Sequence, residues 1–357
     1  MRKMLCVIGL LAVAVMLAGG RGGMLAQEGP YKFVKEIPVG GEGGWDYASV
    51  DSAAKRLYVT HATKVVVIDT EKDAVVGEIG PTPGIHGFAI APELGKGFAS
   101  AGGENKAAIV DLKTLQITSK VDTGANPDAI FYEPTRQEVY TFNGRDNSST
   151  VFDAKTGTVV ATIKLSGKPE FAQEDAKAGR IYNNIEDKSE IAVIDVKTHA
   201  VVATWPLAPG EEPSGLAIDL AHHRLFSGCG GNNMMVMMDS TNGKVLGHVP
   251  IGPGVDANNY DPVTNYAFAS SGGDGTVTIA QATSPTDFRV VQTLKTQVGS
   301  RTMTLDPRTH KIYLAAAQYE TPATPPQPGQ RVRRTMVPGS FKVLVYGMTN
   351  PPKGDRN

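Results

Sequence analysis

The stretch Arg56-Leu57-Tyr58-Val59-Thr60, followed by Val65-Val66-Val67-Ile68-Asp69 and Ala74-Val75-Val76-Gly77-Glu78-Ile79, decides the fold because it comes back. It returns as Glu138-Val139-Tyr140-Thr141, Thr150-Val151-Phe152-Asp153 and Thr158-Val159-Val160-Ala161-Thr162-Ile163. It returns again as Arg180-Ile181-Tyr182, Ile191-Ala192-Val193-Ile194-Asp195 and Ala200-Val201-Val202-Ala203-Thr204-Trp205. Two columns fix the period. An aromatic one runs Tyr58, Phe98, Tyr140, Tyr182, Phe226, Phe268, Tyr313, in steps of 40, 42, 42, 44, 42 and 45. An acidic one runs Asp69, Asp111, Asp153, Asp195, Asp239, with Gln281 in the sixth place and Tyr346 near the seventh.

Seven units result. Each contains short β-branched runs separated by Gly, Pro, Asn and Asp, which is the composition of strands and turns, four strands to a unit. No segment keeps a helical period. A repeat of about 42 residues with four strands predicts an all-β, seven-bladed β-propeller, since a blade cannot cover its own faces and needs a neighbour on each side. The segment Tyr31 to Gly40 reads as an outer strand without a blade, and after Tyr346 the chain ends without one. The N-terminal strand is therefore expected to complete the last blade, within one domain over residues 27–347 and a tail over 348–357. The aromatic column reads as packing between blades. The acidic column reads as side chains capping the turn into each outer strand.

Arg2 and Lys3 precede an apolar run from Leu5 to Ala18, and small and polar residues lead to Ala26-Gln27. That is the pattern of a signal peptide over residues 1–26, too short for the ~20 residues of a spanning helix, and it places the protein in the periplasm or outside the cell. No later segment is long and apolar enough to span a membrane. The full chain has 35 basic and 36 acidic residues. Removing Arg2, Lys3 and Arg21 leaves 32 basic against 36 acidic residues, a net charge of −4. With no basic stripe, that disfavours a nucleic-acid partner, the single-stranded binding sometimes considered for such folds included. Of two cysteines, Cys6 lies in the signal segment, so Cys229 is left without a disulfide partner and reads as a packed residue.

Tyr58-Val59-Thr60-His61, with Ile68-Asp69-Thr70 and Ile194-Asp195-Val196-Lys197-Thr198, resembles the YVTN β-propeller repeat, as do the turns Pro127-Asp128-Ala129 and Pro213-Ser214-Gly215. From about Tyr31 to Gly347 the chain resembles exported YncE-like seven-bladed propellers. The resemblance implies the fold and leaves function open, because propellers host binding modules, lyases, lactonases and redox enzymes alike. With two Trp and seven His not placed one per unit, the tryptophan-docking repeats of quinone-dependent dehydrogenases and the copper-cluster propeller fit poorly.

The innermost strand of a blade borders the central channel, and its start lies near one mouth. That position holds Asp46, His86, Asp128, Glu170, Ser214, Asp256 and Arg301, in the same steps as the aromatic column. Four carboxylates at one level of a narrow channel need compensation. Arg301 falls between Asp256 and Asp46 and should pair with both; His86 falls between Asp46 and Asp128, which should raise its pKa. Asp128 and Glu170 are left without an obvious partner, and with Asp256 they are the candidates for a bound Ca²⁺ or Mg²⁺ or a cationic ligand. A Pro-rich insertion over 318–340, with Pro322, Pro325, Pro326 and Pro328 before Arg331, Arg333 and Arg334, is expected on the same face as a lid or a handle for a partner. No nucleophile motif, metal-ligand spacing or cofactor fingerprint is present, so the sequence reads as a non-catalytic scaffold for a small-molecule ligand or protein partner. The alternative is a propeller-type hydrolase or lactonase in which a channel-bound divalent cation or Arg301 polarises a carbonyl, with His86 or Glu170 as base.

Overall fold

The computed structural model describes residues 29–320 and 335–352, so the expected signal segment and residues Pro322 to Arg334 of the insertion lie outside the described residues. Seven antiparallel sheets of four strands follow one another around a ring. The inner strands are Trp45–Asp51, Ile85–Ala91, Pro127–Glu133, Pro169–Asp175, Pro213–Asp219, Val255–Asp261 and Met303–Asp306, and blades are numbered from the first of these. In blades one to six each sheet runs inner to outer in chain order. Blade seven is completed by the N-terminal strand, Tyr31–Pro38, which pairs antiparallel with the last strand, Lys342–Met348. The expected closure is observed, and the last strand runs one residue beyond the expected boundary at 347.

The core is divided among the blade interfaces. Seven apolar clusters occur among the described residues, and each draws its side chains from two adjacent blades, so every interface around the ring has its own core. All seven members of the aromatic column are at most 2% exposed. Phe98 of blade two meets Phe152 of blade three edge to face at 6.0 Å, and Tyr31 of the closing strand meets Phe268 of blade six at 5.3 Å. Cys229 is fully buried, and that burial pushes its thiol up to about 12, consistent with an inert packed residue.

The acidic column does what the turn chemistry requires. Asp69, Asp111, Asp153 and Asp195 each accept backbone N–H groups two and three residues on, and Asp239 accepts that of Thr241. Those bonds hold these carboxyls below the usual range. The sequence reading does not include a second acidic column, at the far end of the inner strands. Asp51, Glu133, Asp175, Asp219, Asp261 and Asp306 are buried there and cap the turn into the next strand in the same way.

The closing strand carries a clear energetic signature. Tyr31 and Ile37 are each 1% exposed, and the Gln292 side chain of blade six bonds both backbone groups of Tyr31, accepting at 2.9 Å and donating at 2.8 Å. Burying the two side chains contributes roughly 2–3 kcal/mol each. A chain beginning at Val39 loses that burial and leaves the edge of Lys342–Met348 unpaired. Its melting temperature, followed by circular dichroism, is expected to fall by about 10 °C or more. An unchanged melting curve would show that the ring does not depend on this strand.

Candidate functional site

Register, rather than any single residue, builds the mouth of the channel. In blades one to six the inner strand pairs normally at its first residue, then slips by a β-bulge over the next one or two. The first slipped residue in each is, in order, Asp46, His86, Asp128, Glu170, Ser214 and Asp256. A bulge leaves its residue out of the ladder and re-aims its side chain, which is why this column serves the channel. These residues are second, not first, in their strands, and Arg301 stands two residues before its strand begins. Their backbone is tied to the blade before. Ser100 donates to Asp128 O at 2.6 Å, Asn184 to Ser214 O at 2.9 Å, Ser214 to Asp256 O at 3.3 Å, and Thr302 to Asp46 O.

All seven positions line one cavity of about 370 Å³. The loops between second and third strands of blades four and five reach the same place through Glu186 and Gly230. Lys168 and Glu212 enter from the segments just before the inner strands of blades four and five. Six carboxyl groups (Asp46, Asp128, Glu170, Glu186, Glu212, Asp256) therefore face His86, Lys168 and Arg301. The floor is aromatic: Tyr47 of blade one stacks on Phe171 of blade four, ring centroids 4.4 Å apart. Beneath them a smaller space of about 130 Å³ is lined by Tyr47, Phe88, Phe131 and Phe171.

The charges sort into three groups. Arg301 bridges Asp256 at 3.5 Å and Asp46 at 3.6 Å, as expected, and those carboxylates raise its pKa. The Nδ1–H of His86 donates to Asp46 Oδ2 at 2.6 Å, with Asp128 Oδ1 at 3.8 Å. Burial works against charge on His86, but the bond to Asp46 and the two carboxylate charges outweigh it, and the imidazole is held up to about 9. Glu170 has a partner that the sequence reading did not supply, Lys168 Nζ at 2.7 Å, which also binds Glu186. Even so, burial and the charge of Asp128 raise Glu170 to about 8. Burial also raises Asp128 and Asp256, against the pull of His86 and Arg301 respectively. Tyr47 is pushed well above its ordinary range by burial and then by Asp128 and Glu170.

Of the expected metal candidates, Asp128, Glu170 and Asp256 do not converge as a set; the close grouping is Asp46, His86 and Asp128, with one donor atom of each within 4.8 Å of the others. The signal for Lys168 and Glu212 lies two residues before each ring position, where the chain holds Gly44, Gly84, Asn126, Lys168, Glu212, Gly254 and Gly299. Five of these have left-handed φ: Gly84, Asn126, Glu212, Gly254 and Gly299. In a column that favours Gly and Asn for backbone reasons, Lys and Glu are exceptions worth noticing. Nothing local flags the Tyr47–Phe171 stack, which pairs residues from blades on opposite arcs.

Every raised group of the ring binds its proton more tightly in the folded chain than in the unfolded one. The stability this contributes is complete below the unfolded values of 3.8 for Asp, 4.5 for Glu and 6.5 for His, and it is lost as pH rises through about 6, 8 and 9. The turn aspartates with lowered pKa act the other way and lose their contribution as pH falls below about 4. Thermal melts are therefore expected to decline between about pH 4 and pH 9, and Glu170→Gln should flatten the part between about 4.5 and 8. In NMR titration the His86 ring should change charge near 9, moving back toward 6.5 in Asp46→Asn. A wild-type midpoint near 6.5 would contradict the charge assignment.

No family model and no curated protein matches this chain. Among solved structures it is similar to Kuenenia stuttgartiensis hydrazine synthase, with a TM-score of 0.66 and 15% identity, over 82% of this chain and 95% of that one. At that identity the likeness shows a shared propeller fold.

Proposed function

We propose that this chain is an exported, YncE-like binding propeller that takes a cationic group at the mouth of its central channel. The observation that carries this reading is the lining of the 370 Å³ cavity, where six carboxyl groups meet three basic side chains. Burial raises the carboxyl pKa values of Asp128, Glu170 and Asp256, and among the described residues six acids face three basic side chains; a bound cation would add positive charge to that balance. The backbone ties between blades hold the ring in place before a ligand arrives, which lowers the ordering cost of binding. His86 and Glu170 retain their protons near neutral pH, a state suited to donating hydrogen bonds rather than to abstracting a proton. That favours binding over the base-catalysed hydrolase.

A divalent cation is the second reading, favoured by the grouping of Asp46, His86 and Asp128. In that case, these side chains would supply oxygen and nitrogen donors, and the ion would serve a lactonase or esterase as a Lewis acid.

One experiment addresses both readings. Thermal unfolding of the mature protein is followed after EDTA treatment, with Ca²⁺, Mg²⁺, Mn²⁺, Zn²⁺ or ethylammonium added, in wild type and in Asp128→Asn/Glu170→Gln. A cation that binds only the folded state should add about 2.7 kcal/mol at a hundredfold excess over Kd, and this gain should vanish in the double variant. A rise confined to divalent ions and reversed by EDTA favours the second reading and directs a lactone and ester screen. A flat response to every cation, or a rise unchanged in the variant, defeats the cation-binding function.

A further inference from the structure

A second cavity, of about 430 Å³, adjoins the first and shares Val255 and Arg301 with it as a common wall. Its composition is unlike the acidic mouth. The floor is Gly44, Gly254, Gly272, Gly273 and Gly299, and the sides are Trp45 and Tyr319, whose ring centroids are 6.4 Å apart. Among the described residues Arg301 is its one charged lining residue. On this arc the position two residues before the ring residue is glycine in blades six, seven and one, as it is at Gly84 of blade two, whereas blades three, four and five carry Asn126, Lys168 and Glu212 there.

Four of the five glycines have a structural reason to lack a side chain. A Cβ on Gly254, Gly272, Gly273 or Gly299 would come within 3.1 Å of a neighbour. Gly44 has no such reason: a Cβ there meets nothing within 4 Å, and its φ lies outside the left-handed range. At that position the fold would accept a side chain, and the cleft is what a side chain would fill.

We propose that the ligand is an organic cation with a flat, apolar body, its charged head at the acidic mouth and its body against Trp45 and Tyr319 in the glycine-floored cleft. This rests on the cation-binding reading above and narrows it to arylalkyl amines. The head finds carboxylates across Arg301; the body finds aromatic walls and a floor without side chains, where a planar group lies close to backbone.

Calorimetric titration with phenethylamine and ethylamine tests it, since the two share a head and differ in the body. Phenethylamine is expected to bind wild type about tenfold to a hundredfold tighter, the effect of burying an aryl group. Gly44→Leu should abolish that advantage, leaving ethylamine affinity and the melting temperature unchanged, and Asp128→Asn/Glu170→Gln should weaken both amines together. Equal affinity of the two amines for wild type overturns the cleft and leaves the acidic mouth standing. So does an advantage that survives both Gly44→Leu and Tyr319→Ala. Binding of neither amine overturns both. Should Gly44→Leu fold poorly, the wild-type comparison and Tyr319→Ala still decide.

Discussion

A four-stranded blade has two apolar faces, and neither can be covered from within the blade. Everything else in this structure follows from that constraint. Each face must meet a face of a neighbour, so seven blades need seven interfaces, and seven apolar clusters fill them. The last interface exists only if the chain returns to its beginning, and the strand Tyr31–Pro38 achieves this by pairing with Lys342–Met348. The closing strand therefore joins more than two strands. Ile37 belongs to the cluster between blades seven and one, and Tyr31 to the cluster between six and seven, so one strand secures two interfaces.

Closure also fixes the electrostatics of the channel. In an open sheet, like charges at the start of neighbouring strands could splay apart. In a closed ring, with carbonyls of Asp46, Asp128, Ser214 and Asp256 held by the preceding blades, they cannot. The repulsion is relieved instead by protons and by partners. His86 keeps its proton between two aspartates, Arg301 joins one of them, Asp46, to Asp256 of blade six, and Lys168 joins Glu170 to Glu186. The cavity below these groups is narrowed by the Tyr47–Phe171 stack, which keeps the polar layer shallow and separates it from the apolar space beneath.

How much of this could be read from the chain depends on whether a feature repeats. The blades, the closing strand, the buried aromatic column and the turn aspartates all recur at a fixed step, so periodicity alone locates them. The ring positions recur too, and the pairing of Arg301 with Asp256 and Asp46 follows from order around the ring. What periodicity does not give is distance across the ring. Tyr47 and Phe171 are three blades apart and touch; the Lys168–Glu170 pair is local by contrast, two residues apart where side chains of an extended segment share a side. The far acidic column recurs at the same step, with Asp in five blades, Glu133 in blade three and Ala91 in blade two, so it was legible in the same way as the turn aspartates.

Repetition explains structure, and departures from it mark where this propeller differs from a ring of equal blades. Two residues before the ring position, five of the seven blades have left-handed φ, and four of them hold Gly or Asn: Gly84, Asn126, Gly254 and Gly299. Glu212 departs from that rule, Lys168 stands where φ is not left-handed, and both line the acidic mouth. Gly44 departs in the opposite sense, keeping a glycine where neither φ nor crowding requires one. These exceptions distinguish two arcs: blades four and five add Lys168 and Glu212 to the mouth, while blades six, seven and one leave a cleft beside Trp45 and Tyr319. A purely structural ring has no need of such asymmetry, because each interface is already satisfied by its own cluster. The division into a charged arc and an open arc, joined at Arg301, is the feature of this molecule that packing and turn geometry do not account for.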